Sequence, residues 1–298
     1  MKFKFSLIAI FLFGSIWAIK VSASDDSTKK LEKTIVGKTF SYIEDKFNNF
    51  FENTEIEITG NDAADPDFSI FTVQPLNMSS DGKDLTFFQG SIIRKNNRDT
   101  LNTGLGFRNL SDDKNWIYGI NVFHDYDMDY EHSRMSLGAE LKGSAFDINA
   151  NKYWAITGAK TGEDGNTERA LDGHEFEVGG QVPYIPSAKL YAKMWTWEGY
   201  GSASDTKGKT YSLEINTPIM PNVTLEAGTK DYDDQTDRDF IKMTYRLNFG
   251  ETKNLEEIDI ISDEAFSSKS VESRMLEKVR RKNSIVIQTN FSSAAGGV

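Results

Sequence analysis

The chain has no cysteine, only six prolines and three histidines in 298 residues, and a deficit of positive charge, 34 Lys and Arg against 45 Asp and Glu. Each shortage excludes something. Without cysteine no disulfide can staple the fold, so it must hold by buried area and hydrogen bonds alone. A net charge of −11 makes nucleic acid a poor partner. Beyond the first two dozen residues no long apolar run remains, so any membrane crossing must be made by strands.

The one apolar run is N-terminal. "MKFKFSLIAIFLFGSIWAIKVSAS" has a basic start at Lys2 and Lys4, an apolar stretch from Ser6 to Ile19, and a small-residue site at Val21-Ser22-Ala23. It reads as a secretory signal peptide, residues 1–23, cleaved after Ala23. No "L-x-x-C" follows, so no lipoprotein anchor is expected. Removing Lys2, Lys4 and Lys20 takes the charge from −11 to −14. Residues 24–53 start charged, and "TFSYIEDKFNNFFEN" then spaces Phe40, Ile43, Phe47 and Phe50 by three and four, which predicts a short amphipathic helix.

From residue 54 the period changes to two. Trp116, Tyr118, Ile120 and Val122 interleave with Gly119, Asn121, Phe123 and Asp125; Met135, Leu137, Ala139 and Leu141 interleave with Arg134, Ser136, Gly138 and Glu140. Such alternation means strands with one apolar and one polar face. Twelve runs are expected, near 54–60, 68–75, 84–93, 98–109, 115–126, 133–142, 145–155, 174–182, 188–197, 208–216, 222–230 and 238–249. Those at 68–75, 84–93 and 188–197 are too poorly phased for their faces to be assigned. The connections alternate too: "DYDMDYEHS", "TGAKTGEDGNTERALDG", "GYGSASDTKGK" and "DYDDQTDRD" on one side, the shorter "LSDDKN", "KGS", "PYIPS" and "TPIMPN" on the other. An even number of ten-residue strands with long loops at one end and short turns at the other predicts an all-β, twelve-stranded antiparallel outer-membrane barrel over 54–249. Long loops would be extracellular and short turns periplasmic, as would residues 24–53. A soluble antiparallel barrel or sandwich fits the alternation equally well but explains neither the even count nor export without cysteine. In the membrane reading Leu137 and Leu225 face hydrocarbon and Ser136 the lumen. Only half of each strand need then be apolar, which accommodates a mean hydropathy of −0.49. Trp116, Tyr118, Trp195, Trp197 and Phe249 are candidates for interfacial girdles.

On the polar faces that can be phased, nine acids (Glu55, Glu57, Asp125, Glu140, Asp147, Glu175, Glu177, Glu214, Glu226) stand against five bases (Arg108, Arg134, Lys230, Lys242, Arg246), which predicts a mildly acidic lumen. The tail holds the complement, Lys278, Arg280, Arg281 and Lys282, with Val271, Met275 and Val279 on one helical face and "NSIVIQ" strand-like beyond. A basic segment near 263–290 inside such a lumen is electrostatically sensible, and a solvated amphipathic tail with no partner is the alternative. Candidate chemistry is thin. His124, His132 and His174 lack a nucleophile partner. "DYDDQTDRD" lacks the Gly and closing Glu of a calcium loop, and the glycines of "GLGFRN" fall inside a strand. We expect no catalytic, cofactor-binding or metal residues, no cofactor and no enzymatic activity.

The order of "FFQ", "RDTLNTGLGFR", "DYD", "SLGAE", "VPYIP" and the closing "YRLNF" over about residues 40–249 resembles the β-domain of inverse autotransporters, the intimin and invasin family. The resemblance implies a type V secretion barrel in the bacterial outer membrane, with a helix in the pore continuing as an extended linker, here within 250–298. It implies a surface-displayed passenger active in cell adhesion. "IKMTYRLNF" resembles the terminal strand signal read by the barrel-assembly machinery, although Thr244 stands where Gly is usual. Expected partners are outer-membrane lipid, that machinery and periplasmic chaperones, with no nucleic acid and no identifiable surface ligand. Since "FSSAAGGV" stops where passengers of the family begin, the expectation is an anchor without its own passenger. No room is expected for a peptidoglycan-binding module before the barrel. The rival expectation is an open pore or structural barrel passing small solutes.

Overall fold

The computed structural model describes residues 53–61, 66–217, 220, 222–247, 261–266, 269–289 and 295–296. The expected signal peptide, the helix within 24–53 and the last two residues of the run 238–249, Phe249 included, lie outside these. Seven long strands come first: β1 (Thr54–Asn61), β2 (Asp67–Met78), β3 (Asp84–Lys95), β4 (Arg98–Leu110), β5 (Trp116–Asp127), β6 (Ser133–Gly143) and β7 (Phe146–Ala155). Two short strands, β8 (Lys160–Thr161) and β9 (Thr167–Ala170), occupy the next loop. Five long ones follow: β10 (Gly173–Val182), β11 (Ile185–Trp197), β12 (Thr206–Asn216), β13 (Val223–Tyr232) and β14 (Arg238–Leu247). The twelve long strands form a closed antiparallel barrel in chain order, with β14 sealing against β1. Closure leaves no unpaired edge, a requirement for strands in hydrocarbon. β15 (Ile287–Thr289) and β16 (Ala295–Gly296) belong to a small second sheet ordered β16-β15-β9-β8.

The apolar faces look outward. Leu137 is 54% exposed and its neighbour Ser136 1%; on β5, Tyr118, Ile120 and Val122 are exposed while Ile117, Asn121 and Asp125 are buried. Leu225 is outward as well. This inside-out pattern is that of a barrel whose solvent is lipid.

Local chemistry fixes the shape. Lys95 pairs with Arg98 across Asn96-Asn97, both at positive φ (50° and 58°), a two-residue turn of the kind that matches the twist of a hairpin and suits asparagine. Within the wall, inward glycines sit directly opposite inward aromatics. Gly104 pairs with Phe123 and Gly106 with Phe87, and a Cβ on either glycine would lie within 2.3 Å of the ring. The rings therefore lie flat on the strand and leave the lumen free. Gly179 under Tyr191 and Gly208 under Trp195 repeat the device across the barrel.

Trp195 and Trp197 are not girdle residues. Both face inward, buried with Tyr153, Leu171, Tyr232 and Val286. The unphased strands are unphased for a related reason: Val73, Leu85 and Phe87 face the lumen while Phe68, Ile70 and Ile92 face out, so β2 and β3 are apolar on both sides.

Candidate functional site

The interior of the barrel is occupied by the chain's own tail. At the short-turn end the Val271 amide donates to the Lys114 carbonyl (2.9 Å), and Lys114 pairs with Glu272 (2.7 Å). A single 3₁₀ turn, Glu272–Arg274, follows. The guanidinium of Arg274 spans Asp147 (2.9 and 3.0 Å) and the Gly143 carbonyl (2.6 Å). Val271, Met275 and Val279 then pack on Val73, Leu85, Phe87, Leu110, Ile117 and Phe123.

The expected lumenal helix is not formed; among the described residues the tail holds no α-helix. From Glu277 to β15 it forms no helical turn, because side chains of the wall satisfy the backbone groups that a helix would have paired internally. Arg108 donates to the carbonyls of Met275 (2.6 Å) and Glu277 (2.7 Å), Asn151 to that of Arg280 (3.0 Å), Arg134 to that of Lys282 (2.7 Å) and Asn102 to that of Asn283 (2.9 Å). Gln89 accepts from the Val279 amide (2.8 Å), and Tyr153 from that of Lys282 (2.8 Å). Residues four apart still share the apolar wall, since the 3₁₀ turn supplies the bend between Val271 and Met275.

In this non-helical part alternate side chains take opposite walls. Lys278 reaches Glu55 and Glu57 (2.5 Å each), and Arg280 reaches Glu177 (2.7 Å), Glu214 (2.9 Å) and Glu226 (3.4 Å). Arg281 turns the other way, onto Asp125 (2.6 and 3.0 Å) and Ser136 (3.0 Å), with its guanidinium 4.3 Å above the Phe123 ring. Arg280 lies 3.7 Å from the Tyr191 ring. Each of these arginines thus caps an aromatic that itself lies over a glycine. Two voids remain, of about 260 and 240 Å³, one toward each end of the lumen; Lys278, Arg280, Tyr191 and Lys242 line both.

All nine acids and five bases placed on the polar face do look inward, and Arg108–Glu140, Arg134–Asp125, Arg246–Glu55 and Lys242–Glu226 are ion pairs. The expected acidic balance is not found. Asp67 and Asp127 raise the inward acids to eleven, and Lys95, Arg98, Lys142, Lys189, Lys193 and Arg238 raise the bases to eleven also. Charge complementarity to the tail is local: acids concentrate where Lys278, Arg280 and Arg281 arrive. Most of the missed bases sit on β3 and β11, where mixed faces hid the phase, or at the first and last positions of strands.

At the loop end Val286 is buried and its carbonyl accepts from Leu171 (3.0 Å), while β15 pairs with β9. β9 is itself clamped. Glu168 receives Arg98 in a two-pronged contact (2.8 and 2.5 Å); Arg98 also meets Asp127 (3.3 Å) and lies 4.3 Å from the Tyr130 ring. The buried His132 lies 3.6 Å from Glu168. Burial alone would push the Glu168 carboxyl up, but Arg98 holds it below the usual carboxylate range. Burial pushes the His132 imidazole down. The other two histidines, His124 and His174, are exposed on the outer face of β5 and β10, far from any such cluster. No metal-binding group of three side chains occurs among the described residues.

A closed twelve-stranded antiparallel barrel, apolar outside and charged within, defines an integral protein of the bacterial outer membrane. The family model for the inverse autotransporter β-domain matches residues 15–283, and the chain belongs to that family. It is 31% identical over 142 residues to an attaching and effacing protein homolog of Escherichia coli K12, covering 47% of each chain. It is 32% identical over 148 residues to the invasin of Yersinia enterocolitica, covering 47% of this chain and 17% of that one. A third relative, the inverse autotransporter adhesin YeeJ of Escherichia coli K12, is 36% identical over 73 residues, 24% of this chain and 3% of its own. The chain thus spans about half the length of the first of these relatives and far less of the others. A solved structure from work on in-meso crystallization of membrane proteins superimposes with a TM-score of 0.67 at 19% identity, covering 80% of this chain and 100% of that one, a likeness of fold.

Proposed function

We propose that this protein is a non-enzymatic anchor and translocator of the inverse autotransporter, type V secretion kind, whose tail leaves the barrel at the cell surface and holds there whatever sequence is joined to it. One observation carries the reading. The tail is fixed at both ends of the lumen, by Lys114 at the short-turn end and by β9 at the loop end, with its C-terminal side at the loops. Adhesion enters through the names of two relatives, an invasin and an adhesin. Assembly would pass through periplasmic chaperones and the barrel-assembly machinery, reading the closing run "IKMTYRLNF". Against an open solute pore stand Lys278 and Arg280, which bridge the lumen from wall to wall between the two voids.

The test is an epitope fused after Val298. Antibody should reach it on intact cells, and deleting 263–298 should leave a heat-modifiable barrel with raised conductance in planar bilayers. A tag protected until the outer membrane is breached would refute surface display. Unchanged conductance after the deletion would refute blockage by the tail.

A further inference from the structure

Residues 261–266 lie outside the lumen, contrary to the expectation that the inserted segment starts near 263. They are clipped to the β10–β11 turn from without. The Tyr184 amide donates to the Ala265 carbonyl (2.9 Å), and the Tyr184 carbonyl accepts from the Ser262 amide (2.9 Å). Tyr184, which follows Pro183 in the two-residue turn between Val182 and Ile185, holds the left-handed conformation that this turn position calls for, φ 66°, an uncommon state for a bulky residue. Phe266 then rests against Phe146, ring centroids 5.7 Å apart. Phe146 is the first residue of β7 and belongs to the lipid-facing side of the barrel, 52% exposed. Phe266 is 44% exposed, Ile261 74% and Tyr184 52%; with Phe146 they make an exposed apolar patch at this turn, tied together by the Phe146–Phe266 ring contact and the two backbone bonds of Tyr184. Asp263 and Glu264, between them, are exposed polar residues.

A water-facing purpose does not account for this arrangement. The patch lies at the short-turn end, periplasmic in barrels of this class, at the level where Tyr118 and Tyr245 also face outward. Aromatic side chains at that level are seated at the boundary of headgroup and hydrocarbon. We propose that residues 261–266 are an inner-leaflet lipid anchor: Phe266, supported by Phe146, is seated in the acyl boundary with Ile261 beside it, and a segment that is not part of the barrel wall completes the periplasmic aromatic girdle. The occupant of the patch is phospholipid, and the carboxylates of Asp263 and Glu264 stay in the aqueous layer.

The cysteine-free sequence makes the test direct. Single cysteines replace Phe266, Asp263 and Leu137 in separate full-length chains, each carries a nitroxide, and each is reconstituted in phospholipid vesicles. Collision with dissolved oxygen is compared with collision with a water-soluble nickel chelate. The label at 266 should follow the lipid-facing Leu137→Cys standard, oxygen favoured several-fold over nickel, and the label at 263 should show the reverse. In the Phe146→Ala background the label at 266 should shift toward nickel. A label at 266 that behaves like the one at 263 overturns the proposal. If Phe266→Cys fails to give a heat-modifiable barrel, Ile261→Cys carries the same reading, and nickel preference there overturns it equally.

Discussion

Asp125 sits between two buried guanidinium groups, Arg134 of the wall and Arg281 of the tail, with no side chain of the three exposed. Asp125→Asn keeps the volume and removes the carboxylate that is bonded to both. Breaking a buried pair by removing one partner costs about 3–5 kcal/mol, most of it from the ion left behind. Here two ions are left behind. Water can relieve them only if the tail withdraws and the lumen floods, so the loss should fall on tail docking and leave the barrel folded. About 3 kcal/mol corresponds to roughly two orders of magnitude in the docking equilibrium. Arg281→Gln should be milder, about 1.5–3 kcal/mol, because Arg134 still neutralises Asp125. The double variant should be milder than Asp125→Asn alone, because it removes the second stranded cation. The assay is thiol modification of Val286→Cys, a position fully buried at the tail's exit, by a water-soluble reagent, with heat-modifiable migration as the check on the barrel. A double variant that opens more readily than Asp125→Asn, or an Asp125→Asn protein that reacts at the parental rate, would refute this account of the charge cluster.

Other outcomes follow from the same structure. Gly106→Ala places a methyl within the Phe87 ring and should cost about 1–3 kcal/mol by overpacking, read by denaturant unfolding from vesicles. Gly60→Ala, whose new carbon would have its nearest neighbour at 4.0 Å, should be close to neutral. Leu137→Arg should destabilise the barrel by about 2–4 kcal/mol near the bilayer midplane, while Thr224→Arg, facing the void at the turn end, should be tolerated; equal losses would show the strand phase to be wrong. His132 is buried in its neutral form, so its contribution is complete above the ordinary imidazole pKa of about 6.5 and falls as pH drops from there toward its lowered value. Asp127 and Glu168 pull that value up and Arg98 pulls it down, and none of these outweighs burial. A nitroxide at Gly165 should therefore loosen as pH falls below about 6.5 in the parent but not in His132→Gln.

The barrel was legible in the sequence wherever one face of a strand met lipid and the other met charge. β5, β6, β7 and β10 alternate strictly and are found within a residue or two of their expected limits. Legibility failed where the lumen itself is apolar. Val73, Leu85 and Phe87 serve Val271, Met275 and Val279, a requirement that arises only once the tail is inside, and no period within β2 or β3 announces it. The same holds for Trp195 and Trp197, which a girdle argument places in the wrong solvent because position along a strand does not tell inside from outside. The tail's basic cluster was readable and its acids could be named. Its conformation could not be read, because the partners of its backbone are side chains from five other strands, as far as 190 residues away. The clamp of Arg98, Glu168 and His132 left no local pattern for a similar reason; it joins a hairpin turn, a strand end and a loop strand.

The tail's conformation also sets how it can slip. In an extended chain a shift of one residue rotates every side chain to the opposite wall, so Arg280 would face Asp125 and Arg281 the carboxylates of β10, β12 and β13. A shift of two residues, about 7 Å, keeps the sides and hands each site the next cation, Arg280 to the carboxylates of β1 and Lys282 to those that held Arg280. The lumen therefore acts as a detent with a two-residue pitch along its cationic side. The bulky stops, Met275 and Val279 on one wall and Val286 among the aromatics, together with Arg281 on Asp125 and Arg274 on Asp147, single out the position in which the chain comes to rest.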